Sequence, residues 1–521
     1  MKHQESLPSS YVLLWRREVP QRLNHWRMVL LPRTLDSAIT RCCLLGILTI
    51  ACLMPAQNDT WWHLRAGQEM LSRGFVMLSD EFSFTVTGAP WPNHEWLSEV
   101  VFYLVYRIGG LPGLTLLAAA AVSAALVLSW RLMAGAPTQR VLIMAVALTS
   151  IVPVWTLRPH VFSLVLLMVV LHFALRERYW PIPFVFVVWA NLHGGVALGL
   201  VLLGAIAVST LYVSGLSRLR PVVLVTAASF VATLITPLGP SLWSTIVESV
   251  HKSTVNEIIE WRPASPFDVA TLAFWVTAAL LPVTAWICRR SIRAKDHVAL
   301  TVVSLALLPL ALRSSRNIPP FLLVAVPALS HTLADWLKPS RRARNAENLK
   351  LNAALLSACV IGTIVIVSVA WSTPAGRLNW KPMPQVVATE AEACGDRVYN
   401  AYADGGYLIW FAPGVRVFID SRQDPYPLSF VQEYVHSERT GNYHQLFKRY
   451  DIRCAVLREP SAIATQLETD GWRTRVQVED WVVLQATDRS ETTTAESKAP
   501  PVGHSAGAAS SLAGEGHEPQ G

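Results

Sequence analysis

The sequence predicts an α-helical polytopic membrane protein that ends in a small extracytoplasmic α/β domain. Three observations carry this. Of the 521 residues, 52% are hydrophobic and only 15% charged, against about 25% charged in soluble chains, and the mean hydropathy is +0.35. Apolar runs of roughly 15–22 residues, long enough to cross a hydrocarbon core, recur from Ile39 to Trp371. Beyond Trp371 the composition changes to short β-rich runs and amphipathic helices.

Residues 1–37 carry Arg16, Arg17, Arg22, Arg27 and Arg33 through an amphipathic, aromatic stretch. This reads as a cytoplasmic interfacial segment rather than a signal peptide, because Met54 before Pro55-Ala56 is a poor cleavage site. The predicted membrane region, 38–371, holds about eleven spans: Ile39–Met54, Leu114–Leu132, Val141–Trp155, Val161–Leu175, Ile182–Ala190, Val196–Val213, Val222–Ile235, Val269–Ile287, Val298–Leu312, Phe321–Leu337 and Leu351–Trp371. The first outer loop, 55–110, contains Trp96–Arg107, read as a helix lying in the interface. Ile182–Ala190 is short and is broken at Asn191-Leu192-His193-Gly194-Gly195. Such a break is tolerated only against protein or a wet cavity.

Charge sets the orientation. Arg131 with Arg140, Arg176 with Arg178, Arg218 with Arg220, the Arg289–Lys295 cluster and the Lys338–Arg344 cluster all fall on one side, the cytoplasmic one. That pattern absorbs the net charge of +8 and argues against nucleic acid as a partner.

Residues 372–488 read as the outer domain. Its predicted strands are Val398–Tyr402, Val415–Asp420, Cys454–Leu457, Thr474–Val478 and Trp481–Gln485, and its helices Leu428–Glu438, His444–Tyr450 and Ala462–Leu467. Residues 489–521 read as a disordered tail rich in Ser, Thr, Ala, Gly and Pro. Cys394 and Cys454 share the oxidising side and are expected to pair. The other cysteines read as small core residues.

With this topology the unexpected polar groups gather on the outer face. Asp59, His63, His94 and Glu95 are the candidate catalytic residues, and Asp80 and Glu81 secondary acids. Arg158, His160, Asn191, His193, Arg313 and Arg316 are candidate substrate or phosphate ligands, since outer-side arginines run against the positive-inside trend and a guanidinium pairs well with phosphate. Each has a plainer reading. Asp59 would cap the helix Thr60–Ser72, Asp80 would cap a turn before a Phe82–Thr87 strand, and His63 and His193 would bond backbone. Glu95 would complement a helix dipole, and the arginines would meet lipid headgroups. Asp404-Gly405-Gly406 and Asp420–Asp424 read as turns at strand ends. The sequence leaves a divalent metal, Mg²⁺ or Mn²⁺, open: Asp59, Asp80 and Glu81 could supply oxygen ligands, and no ligand spacing compels one.

The stretch Asp59-Thr-Trp-Trp-His-Leu-Arg-Ala-Gly67, with Gly88-Ala-Pro-Trp-Pro-Asn-His-Glu-Trp96 and Tyr106-Arg-Ile-Gly-Gly110, resembles the first-loop layout of the GT-C class of membrane glycosyltransferases. Within that class it is similar to bacterial dolichyl-phosphate-mannose-protein mannosyltransferase-like and arabinosyltransferase-like proteins. It is more similar to a set of bacterial multi-span proteins of unassigned substrate, which share Trp-Trp-His-Leu, His-Glu-Trp-Leu, Trp189-Ala-Asn-Leu-His-Gly-Gly195 and an outer domain like Tyr399-Asn400…Phe418-Ile-Asp420. The resemblance implies a bacterial inner-membrane transferase with a polyprenyl-phosphate-linked sugar donor, an unknown acceptor and inversion. It implies Asp59 as general base and Arg158 and Arg316 on the leaving phosphate. Two departures stand out. Asp59 is followed by Thr60 rather than a second acid, and Asn93-His94-Glu95 replaces a Lys-Pro-Pro. A glycan ligase of the O-antigen-ligase type and a non-catalytic transporter or scaffold are the alternative readings. A transporter would show repeats and midplane polar groups, and the sequence shows neither.

Overall fold

The computed structural model describes residues 32–255, 259–287, 294–336, 348–372, 378 and 380–487. The N-terminal arginines up to Arg27, Glu257, Cys288, the arginines 289–293, the basic cluster 338–344 and the 489–521 tail fall outside these residues.

The helical region runs α1 (Leu35–Ala51), α2 (Asn58–Arg73), α3 (Trp96–Leu132), α4 (Pro137–Ile151), α5 (His160–Leu175), α6 (Ile182–Leu192), α7 (Val196–Ser214), α8 (Leu219–Ala232), α9 (Ser241–Val255), α10 (Leu272–Ile287), α11 (Lys295–Arg313), α12 (Ile318–Trp336) and α13 (Leu349–Ser372). Among the described residues six helices are long and apolar enough to cross a membrane, namely α3, α7, α10 and α12 with their preceding turns, α11 and α13. The chain is a multi-pass membrane protein. The expected number of about eleven spans exceeds these six: α4, α5 and α6 are apolar but shorter, and α1 and α8, with 17 and 14 residues, are also short.

Local sequence explains the breaks. Within α3 the backbone leaves helical geometry at Gly110 (φ 60°, ψ −154°), followed by Pro112. Only glycine takes that ψ at positive φ cheaply, so Trp96–Gly109 and the apolar stretch after it are separate rods. α6 ends at Leu192 and α7 begins at Val196, with extended His193 between them. Contacts tie the basic loops together at one end. Lys295 pairs with Glu177, the Ala134 amide donates to Ser330 Oγ, and His331 Nε2 lies 3.0 Å from the Leu132 carbonyl.

At the opposite end sits a five-stranded sheet in the order β2 (Arg416–Val417), β1 (Arg397–Asn400), β3 (Cys454–Arg458), β5 (Trp481–Gln485), β4 (Arg473–Val478). The β1–β2 and β1–β3 pairs are parallel, and β5 runs antiparallel to β3 and β4. Four of the expected strands match these segments closely; the Val415–Asp420 run shortens to two residues. Helices α16 (Leu428–Thr440), α17 (His444–Tyr450) and α18 (Ala462–Thr469) fall where expected. Two were not expected: α14 (Gln385–Ala393) and α15 (Gly405–Phe411). Cys394 and Cys454 form a disulfide with Cα atoms 6.0 Å apart.

Glycines let this unit dock. A Cβ on Gly406 would overlap the Asn58 carbonyl oxygen and one on Gly405 the Ile419 carbonyl, so α15 lies directly on α2. Asp404-Gly405-Gly406 is therefore a helix start built for close approach, not a free turn. The expected Phe82–Thr87 strand shrinks to one bridge, Ser83 to Val417, framed by two backbone hydrogen bonds. Arg422 completes the seam. It is sealed from solvent between Asp80 and Asp420 and stacked on Phe82 and Trp91, whose ring centroids lie 5.0 and 4.7 Å away.

Candidate functional site

Where the sheet unit meets the helices lies a cavity of about 430 Å³, within the range of small-molecule sites. Nine of the predicted residues line it: Asp59, His63, His94, Glu95, Arg158, His160, His193, Arg313 and Arg316. They come from the starts of α2 and α3, the α4–α5 and α6–α7 connections, and the α11–α12 corner. The wall toward the membrane helices is apolar, with Leu164, Leu198, Val201, Ile246, Val250 and Leu310.

Asp59 occupies the second position of α2 and is buried. The N-cap is Gln57, whose amide is accepted by Thr60 Oγ1, so the capping role expected for Asp59 belongs to its neighbours. Its carboxylate pairs with Arg158 and accepts from the Ser421 hydroxyl. Arg158 also forks onto Glu260 at 2.6 and 2.8 Å. Burial disfavours the Arg158 charge, but Asp59 and then Glu260 outweigh it and hold its pKa above the ordinary value. The same pairing holds Glu260 below the usual carboxylate range despite burial. Arg158 was expected to hold phosphate. Here two carboxylates occupy its fork, Asp59 at Nη2 and Glu260 at Nη1.

Trp61 and Trp62 are both buried. Trp61 packs on Phe411 and Tyr407. Trp62 stacks 3.6 Å from the His63 ring and donates to Ser421 Oγ. One turn beyond His63, Gly67 faces α3, where a Cβ would overlap the Glu99 carbonyl. That close approach brings His63 Nδ1 within 3.3 Å of Glu99 Oε1. Asn93 Nδ2 donates to the other Glu99 oxygen at 2.7 Å. Burial, then Arg158, lowers the His63 pKa well below 6.5.

Glu95 lies among three imidazoles, 3.4 Å from His193 Nε2, 3.8 Å from His94 Nε2 and 3.9 Å from His63 Nε2. Burial raises its pKa against the nearby positive groups. His94 Nδ1 lies 3.3 Å from the Pro92 carbonyl and 3.8 Å from Asp424. Burial also raises the Asp424 carboxyl, which accepts from Ser249 at 2.8 Å. Arg316 stacks 5.4 Å over Trp261, with Nη2 3.1 Å from His193 Nε2, and makes no ion pair among the described residues.

Three predicted residues lie elsewhere. Asn191 is saturated: its amide donates to the Val187 and Ile235 carbonyls and its oxygen accepts from Trp96. Asp80 is sealed under Arg422 and also accepts from the Ser83 amide and hydroxyl. Glu81 is exposed and pairs with Arg73. Asp59, Asp80 and Glu81 therefore do not share a metal site, and among the described residues no group of three or more His, Cys, Asp or Glu side chains is arranged to hold one. The sequence reading missed Glu260, Glu99 and Ser163, and it favoured a turn over a site for Ser421–Asp424, a segment that lines the cavity. The arginine and two acids within Asp420–Asp424 were the available signal.

No protein-family model matches the chain, and no curated protein matches it. Among solved structures, the archaeal oligosaccharyltransferase AglB from Archaeoglobus fulgidus, in complex with an inhibitory peptide and a dolichol-phosphate, aligns over 80% of this chain and 69% of its own, with a TM-score of 0.54 at 10% identity. ArnT from Cupriavidus metallidurans aligns over 85% of this chain and 96% of its own when bound to undecaprenyl phosphate, with a TM-score of 0.43 at 14% identity. Its apo state gives 84%, 96%, 0.45 and 12%. Of these three, the AglB alignment is close enough in geometry to carry an argument, and the argument is about fold alone: over most of its length this chain has the GT-C fold.

Proposed function

We propose that the chain is a membrane glycosyltransferase that moves a sugar from a polyprenyl-phosphate donor to an extracytoplasmic acceptor, with inversion at the anomeric carbon. The observation that carries this is a single cavity lined by a buried carboxylate, Asp59, by an arginine that makes no ion pair among the described residues, Arg316, and by an apolar wall of membrane helices. The donor's phosphate would meet Arg316, Arg313 and His193, and its lipid tail the apolar wall. In this reading residues 38–371 form the membrane part and 372–488 an extracytoplasmic unit that closes the site. The N-terminus and basic loops face the bacterial cytoplasm.

In the reaction the acceptor oxygen bonds to the anomeric carbon as the carbon–phosphate-oxygen bond breaks. Asp59 takes the acceptor's proton, and the electron pair leaves with the polyprenyl phosphate. A carboxylate is a weak base. It suffices where the sugar carbon is already cation-like, because the attacking hydroxyl then becomes strongly acidic late in the step. Charge grows on the phosphate as it departs, where fixed cationic donors act most strongly. Glycosidase logic with two carboxylates is not needed, since phosphate is a good leaving group.

The test is Asp59→Asn in the full-length protein, assayed for transfer to glycolipids or glycoproteins in a strain lacking the native copy. Loss of roughly 10²–10⁴ in rate is expected, with an unchanged melting temperature. Normal product levels would reject Asp59 as the base. Donors bearing one sugar or a preassembled glycan distinguish the transferase from a ligase, and no transfer from either points to a scaffold.

A further inference from the structure

Two side chains of the cavity wall, Asp59 and His193, are held by the same device. On the Asp59 side, the Trp62 indole donates to Ser421 Oγ at 3.1 Å and Ser421 donates to Asp59. On the other side, the Trp189 indole donates to Ser163 Oγ at 2.7 Å, and that oxygen stands 2.8 Å from His193 Nδ1. The Trp189, Ser163 and His193 side chains are all buried.

The protons can be followed. Ser163 Oγ accepts from the indole and so has its own hydrogen to give; its neighbour is His193 Nδ1. The Gly195 amide donates to the same nitrogen at 2.9 Å. Glycine is required there, because a Cβ would overlap both Ser163 Oγ and His193 Nδ1. A ring nitrogen that receives two donors is unprotonated. Burial, then Arg316, holds the imidazole pKa well below 6.5, so the ring is neutral and carries its single proton on Nε2.

This changes the meaning of the 3.1 Å contact between Nε2 and Arg316 Nη2. Both atoms are donors, and two donors do not bond each other. The Glu95 oxygen nearest Nε2, at 3.4 Å, is beyond the usual N–H···O distance. Two N–H groups this close on a cavity wall converge on one electron-rich atom. We propose that Ser163 is a positioning residue that fixes His193 as the Nε2–H tautomer, so that His193 and Arg316 together grip one phosphate oxygen of the lipid donor. The identity of that oxygen rests on the transferase reading; the tautomer does not.

The experiment uses the full-length protein in nanodiscs with ¹⁵N-labelled histidine, the His193 signals being assigned by their loss in His193→Gln. Nδ1 should show the shift of an unprotonated nitrogen and Nε2 that of a protonated one. Ser163→Ala should mix the two forms and Ser163→Thr, which keeps the hydroxyl, should restore the single form. A protonated Nδ1 in the wild type overturns the proposal. Adding a sugar-free polyprenyl phosphate should move the Nε2 signal in the wild type; an Nε2 signal that stays still overturns the shared grip. In transfer assays Ser163→Ala should lose roughly 5–30-fold in kcat/KM, the effect of one or two hydrogen bonds, and add nothing in a His193→Ala background. A further loss there would make Ser163 a mere prop and overturn its assignment. A locked tautomer that responds to the lipid phosphate in a protein that transfers no sugar would sink the transferase reading and leave this one standing.

Discussion

Among the described residues four ion-paired arginines each sit between two carboxylates, and what separates them is access to solvent. Arg422, between Asp80 and Asp420, has a fully buried side chain. Arg158, between Asp59 and Glu260, is 21% exposed and faces the cavity. Arg458, between Asp404 and Asp480, is 41% exposed on the sheet unit. Arg73, between Glu69 and Glu81, is 34% exposed on the outside of α2. The chemistry is the same and the consequences differ. Sealed, the cluster rivets the first loop to the sheet unit. Opened to a cavity, it leaves a paired anion in the cavity wall. At the surface, water does most of the work of solvating it.

The sealed cluster should be the costliest to break. Arg422→Ala leaves Asp80 and Asp420 buried without a cation, for which about 3–5 kcal/mol is typical. Denaturant unfolding of the full-length protein should show a loss of that size, and Arg422→Lys should not recover it, because an ammonium cannot fork onto both acids. A loss below about 1 kcal/mol would mean the seam between loop and sheet is held by something else.

The Arg458 cluster gives a pH test. Asp404 is buried and its Arg458 partner stands 3.7 Å away, committed to Asp480 at 2.6 Å. Burial pushes the Asp404 carboxyl up to about 7, with Arg458 opposing. The folded state thus binds a proton that the unfolded state, with a value near 3.8, gives up earlier. Stability contributed by the neutral form is whole below about pH 4 and is lost as pH rises toward 7. Asp404→Asn removes that loss. It should be more stable than the wild type at pH 8, by at most about 4 kcal/mol for a shift of some three units, and indistinguishable at pH 4. A gain that does not change with pH would refute the assignment.

Arg316 stands outside the series, because it makes no ion pair among the described residues. Arg316→Ala should therefore raise the donor KM and lower kcat/KM by about 10–100-fold, or 1.4–2.7 kcal/mol, with little change in melting temperature. Arg158→Ala should cost both, since it strands Asp59 and Glu260. Equal effects of the two substitutions on stability would erase the distinction between an arginine that serves the fold and one that waits for a ligand.

Much of this was legible in the sequence, for reasons that also explain what was not. Hydropathy marks the apolar spans, and the β-branched runs at Cys454–Leu457 and Trp481–Gln485 mark strands, because both signals are local. The outer-side arginines and histidines stand out in an apolar chain, and nine of them or their acidic neighbours do line one cavity. What sequence does not carry is who faces whom. Asp59 and Asp80 are alike as text, yet one meets Arg158 and the other Arg422, 342 residues away. Ser421 meets Asp59 across 362 residues, a contact that only the docking of Gly406 onto α2 creates.

The exposed end of the series offers the smallest effect and the sharpest check on the ranking. Glu81 follows Asp80 directly in sequence but is 41% exposed, and Arg73 keeps Glu69 at 3.1 Å without it. An exposed pair contributes about 0–1 kcal/mol and weakens with salt. Glu81→Ala should accordingly shift stability by under about 1 kcal/mol, and the shift should vanish in high salt, whereas Asp80→Ala should cost several-fold more and ignore salt. If the two neighbouring acids proved equal in thermal melts at low and high salt, solvent access would not be what ranks these four clusters.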